Sequence, residues 1–78
     1  MTLNVRPTLR ALHIPHGRFA AAIGARPETL CRWMKGTNRP RADFVYRILA
    51  FLNQPSHLEQ LGRTEPFRLE ELFSEEAA

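Results

Sequence analysis

A chain of 78 residues, 44% of them apolar and 24% charged, makes one small domain with a thin core. It has no apolar run near the roughly 20 residues that span a bilayer and no signal-peptide h-region in MTLNVRPTLR. Its single Cys excludes an internal disulfide and a Cys-based zinc cage, and a reducing cytosol is the expected compartment.

Charge is uneven along the chain. Residues 1–63 carry ten Arg/Lys against three acids, and residues 64–78 carry one Arg against five Glu, within a net +3. A basic body with an acidic end fits a polyanion partner, and it fits a mixed solvated surface equally well.

Strand signals are missing: there is no period-2 run and no Asn-Gly or Asp-Gly turn. Helical spacing recurs instead. Asn4 is placed to cap a first helix with Pro7 in its first turn and Val5, Leu9 and Leu12 on one face, ending near His13 ahead of Pro15. A second helix, about His16 to Ile23, turns Phe19, Ala20 and Ile23 inward and stops at Gly24. A third starts at Pro27 and stops at Gly36. Two short helices joined through Gly24–Arg26 make a helix-turn-helix. A fourth helix, about Ala42–Leu52, carries the stripe Val45, Ile48, Leu49 and Leu52. Pro55 opens a fifth, with Leu58 and Leu61 inward and Gly62 ending it. Thr64 is placed to cap a last segment in which Phe67, Leu69, Leu72 and Phe73 alternate with acids.

At about 100° per residue, Leu30, Trp33 and Met34 share one face of the third helix. Glu28, Cys31, Arg32 and Lys35 share the other, with Thr29 on its edge. Glu28 and Arg32 form an i, i+4 pair of a kind common on plain solvated faces. As the second helix of a helix-turn-helix, flanked by Arg26, Arg39 and Arg41, the same face suits the major groove, with the flanking cations on phosphates.

Ile14, Phe19-Ala20, Ile23-Gly24, Leu30, Arg32-Trp33, Lys35-Gly36, Arg39-Pro40 and the Val45/Ile48/Leu52 stripe resemble the Cro/repressor-type (XRE-class) helix-turn-helix family. The resemblance spans about residues 5–61. It implies an all-α, five-helix, lambda-repressor-like DNA-binding domain at 1–63, with residues 64–78 as a short acidic amphipathic segment. It also implies a phage or bacterial regulator, usually a repressor, that binds a palindromic double-stranded operator as a homodimer and does no enzyme chemistry.

Carried onto this chain, the resemblance puts Pro27, Glu28, Thr29 and Arg32 at base edges. Arg32 can donate two bonds to guanine O6 and N7, Glu28 can accept from cytosine N4, and the Thr29 methyl can meet a thymine methyl. His16, Arg26, Lys35, Asn38, Arg39 and Arg41 become phosphate contacts. Three departures stand out. Pro15 and Arg26 occupy the N-cap positions of the second and third helices, where the family favours Ser or Thr. The Arg and Glu that the family often pairs between helices one and three are Leu9 and Met34 here. An Arg cannot accept helix amides, so Arg26 is read as kept for DNA. The Leu9/Met34 exchange is read as a packing swap.

No cofactor or metal is expected, because His13, His16 and His57 share no ligand spacing. Cys31 lacks a partner base. Phe44, Tyr46 and Phe51 lie off the fourth-helix stripe. With the apolar groups of the last segment they suggest a homodimer interface built from Phe51, Pro55, Leu58, Phe67, Leu69, Leu72 and Phe73. The acidic end can instead lie over the basic body or bind another protein. The alternative function is therefore an antitoxin or adaptor that binds a protein through residues 64–78 and regulates itself through the helix-turn-helix.

Overall fold

The computed structural model describes residues 2–74. The chain runs β1 (Thr2–Leu3), α1 (Arg6–Ala11), α2 (His16–Ile23), α3 (Pro27–Lys35), α4 (Ala42–Leu52), α5 (Pro55–Leu61), α6 (Leu69–Leu72) and β2 (Phe73–Ser74). The described residues are thus mostly helical, with α2 packed on both α3 and α4, and β1 packed on α3.

Each apolar stripe is spent on one core. Val5, Leu9 and Leu12 enter it from the first segment, Phe19, Ala20 and Ile23 from α2, Leu30, Trp33 and Met34 from α3, and Ile48 and Leu52 from α4. Each large aliphatic group buried this way contributes about 1.5–3 kcal/mol. Leu9 and Met34 both belong to this cluster, as a packing swap requires. The α4 stripe is only half used: Val45 and Leu49 stay half-buried.

Helix ends follow the glycines. Gly24, Gly36 and Gly62 take left-handed φ of 78°, 80° and 71°. At Gly24 the closing bonds run from its own N–H to the Ala21 carbonyl (3.2 Å) and from the Ala25 N–H to the Ala20 carbonyl (2.8 Å). The pattern recurs at Gly36 and Gly62, and it satisfies carbonyls that a helix end leaves bare. The first helix differs from expectation at both ends. Its N-cap is Val5, and Asn4 instead donates its backbone N–H to the Leu72 carbonyl. His13 sits beyond the C-terminus at φ 57°, while the Ile14 N–H closes onto the Leu9 carbonyl at 2.9 Å. A non-glycine residue thus takes the left-handed position, where the branching at Cβ makes it costly.

The two ends of the described chain meet. β1 and β2 pair antiparallel, Thr2 with Ser74 and Leu3 with Phe73. Two-residue strands are too short to show a period-2 pattern, so the expectation of no strands is corrected here. Leu72, 1% exposed, joins the same core as Phe19 and Ile48. The anticipated boundary at 63/64 is therefore no break in the packing. Asn53 clamps the connection: its side-chain amide donates to the Phe67 carbonyl (3.3 Å) and accepts the Phe67 N–H (2.6 Å). The Arg63 guanidinium lies 3.9 Å from the Phe67 ring centroid and pairs with Glu71 at 3.0 Å. Thr64 caps nothing. Pro66 disfavours helix in the residue before it, and α6 begins later, where the Glu71 carboxylate accepts the Arg68 N–H at 2.7 Å.

Candidate nucleic-acid interface

The α3 face follows from its spacing. Leu30, Trp33 and Met34 are buried, while Glu28, Cys31, Arg32 and Lys35 are exposed and Thr29 is half-buried. Trp33 is anchored further by the Phe44 ring, at 5.3 Å between centroids. Pulling three large side chains into the core fixes the rotation of α3, so its cations can face only outward.

The cations flanking α3 are also exposed: Arg26 at its N-cap, then Arg39 and Arg41 in the loop that ends where α4 begins. Pro27, His16 and Asn38 are exposed as well. The expected Glu28–Arg32 pair is not closed. Among the described residues the salt bridge is Arg63–Glu71, remote from α3 in sequence. Arg26, Arg32, Lys35, Arg39 and Arg41 therefore carry no carboxylate partner among the described residues. No group of three potential metal ligands occurs among those residues, and no helix there is long and apolar enough to cross a membrane.

The N-termini of α2, α3 and α4 share a feature. Their cap residues are Pro15, Arg26 and Arg41, and none has a side chain hydrogen-bonded to the first amides. Each of these helices thus begins with bare N–H groups and the positive end of its dipole, an arrangement that favours anions.

Sequence reasoning missed Arg47. Its guanidinium, in α4, donates to the Ile23 carbonyl at 3.3 Å and lies 5.2 Å from the Phe44 ring centroid. A Cβ on Gly24 would come within 2.9 Å of it. Arg47 thereby ties the α2–α3 turn to α4. The only hint in the sequence was its i, i+3 spacing from Phe44.

The expected dimer residues divide. Leu72 is inside the protomer's own core. Phe51 packs against Phe19 (5.3 Å) and His57 (4.7 Å), whose Nδ1–H donates to the Phe51 carbonyl at 2.7 Å. Phe67 is held by Asn53 and Arg63. These three serve the fold, because the C-terminal segment that was expected to be open folds back over them. Leu58 and Phe73 are half-buried, and Pro55 and Leu69 are exposed.

No known protein family, curated protein or solved structure matches this chain.

Proposed function

We propose that the protein is a sequence-specific regulator that binds a palindromic double-stranded DNA operator as a homodimer and acts by occupying it. The observation that carries this reading is the unpaired cationic face of α3, bracketed by exposed Arg26, Arg39 and Arg41 and fixed in rotation by Leu30, Trp33 and Met34. An exposed Arg with no carboxylate beside it keeps its donors for guanine, and Arg32 is the residue assigned to that role. Pro27, Glu28 and Thr29 lie on the adjoining first turn. His16, Arg26, Asn38, Arg39 and Arg41 supply the phosphate contacts that set register, with Lys35 at the far end of the helix.

Selecting binding sites from random duplex DNA tests the reading directly, and a discrete palindrome is the expected product. With that site in hand, Arg32→Ala should cost about 1–3 kcal/mol and relax preference at one base position. Arg41→Ala should weaken binding to all sequences alike and reduce the salt slope by about one. Selection that yields no enriched sequence would reject sequence-specific binding.

A further inference from the structure

Two large apolar side chains stand out from the described surface: Tyr46, 71% exposed, and Leu69, 49% exposed. Both line one groove of about 650 Å³ between α4 and the α6–β2 segment. Its apolar lining includes Val45, Leu49 and Phe73, the part of the α4 stripe and of the C-terminal segment that the core leaves half-buried. Two exposed charges of opposite sign, Arg39 and Glu70, also line it.

We infer that this groove is where a second copy of the chain docks, related by a two-fold axis. The charges choose the occupant. DNA or an acidic protein is repelled by Glu70, and a basic protein is repelled by Arg39. A second copy answers both at once, because in an isologous contact Arg39 meets the partner's Glu70 while Glu70 meets the partner's Arg39. Tyr46 and Leu69 then close over the partner's apolar lining. A central aromatic anchor of this kind carries much of the binding free energy, while the charge pairs set register and partner choice.

The inference deepens the homodimer of the proposed reading and shifts its interface away from Phe51, Leu72 and Phe67, which are spent within the protomer. It also gives Arg39 a partner other than phosphate.

The test uses the full chain without DNA, so its result is independent of whether an operator exists. Sedimentation equilibrium should give a dimer for the unaltered protein. Tyr46→Glu, Arg39→Glu and Glu70→Arg should each raise the dimer Kd by at least about tenfold. The double reversal Arg39→Glu/Glu70→Arg should restore most of the affinity, because the reciprocal pairs re-form with exchanged signs. All three positions are exposed, so helical circular dichroism should be unchanged and a loss of dimer cannot be laid to misfolding. A monomer at every concentration, a dimer indifferent to Tyr46→Glu, or a double reversal no better than the single ones would overturn the inference.

Discussion

Replacing Leu72 by Ala asks whether the acidic end is part of the fold. Leu72 is 1% exposed and shares the core of Leu30, Trp33 and Ile48, and its carbonyl takes the Asn4 N–H at 2.6 Å. Truncating a buried Leu costs about 2–5 kcal/mol, least where the surroundings can settle into the space. The element carrying Leu72 is one four-residue helix and a two-residue ladder, which can settle easily. The expected cost is therefore about 2–3 kcal/mol, at the low end of that range. A domain of this size holds only about 4–12 kcal/mol in total, so the change is large. With a urea m-value of about 1 kcal/mol/M, the midpoint should fall by about 2–3 M. Trp33, the chain's only Trp, reports on α3, which is distant from Leu72 in sequence. Urea unfolding followed by Trp33 fluorescence and by far-ultraviolet circular dichroism should shift together. An unmoved Trp33 midpoint would mean that residues 64–74 ride on a domain that is complete without them, and the single-core description would fail.

Three further outcomes are expected. His13→Gly should raise stability by about 1 kcal/mol, because glycine takes the left-handed position without the Cβ clash and the exposed imidazole surrenders little packing; an unchanged melting temperature would show that His13 holds that position without strain. The Arg68 N–H, and after it the Arg63 side chain, hold the Glu71 carboxyl below its ordinary range. A carboxyl with a depressed folded pKa stabilises above its unfolded pKa and loses that contribution as the pH falls through the folded value. Melting temperature measured from about pH 5 downward should thus decline less in Glu71→Gln than in the unaltered protein, and parallel curves would refute the assignment. Arg26→Ser should gain about 1 kcal/mol of stability by capping α3 and should lose DNA affinity; a gain in stability with affinity intact would remove Arg26 from the interface.

The sequence made the candidate face of α3 legible because one helix has one period. Leu30, Trp33 and Met34 fell on a common side, and the structure buries those three while exposing Glu28, Cys31, Arg32 and Lys35. Glycines marked the ends of α2, α3 and α5 for a similarly local reason. What escaped was decided at long range. Phe44 and Phe51 looked surplus because their partners, Trp33 and Phe19, lie on other helices. The meeting of β1 with β2 joins residues some seventy positions apart through two residues on each side, which no local pattern encodes. Asn53 and Arg63, which hold the C-terminal segment down, read as ordinary polar residues until Phe67 and Glu71 are brought beside them.

One choice runs against stability in a way that the proposed function accounts for. Ser, Thr, Asp or Asn at the caps of α2, α3 and α4 would each contribute about 1 kcal/mol, yet Pro15, Arg26 and Arg41 stand there. Bare amides at a helix start remain hydrated in the free protein and accept an anion when one arrives. A phosphate oxygen can bond those amides as a cap oxygen would and meets the positive end of the dipole besides. An Arg at the cap adds a mobile cation beside that point, where a Ser would already have taken the donors. In the proposed complex the stability forgone in the free chain returns as phosphate binding. Folding and DNA affinity then draw on the same backbone groups, and a substitution at Arg26 or Arg41 that improves one should weaken the other.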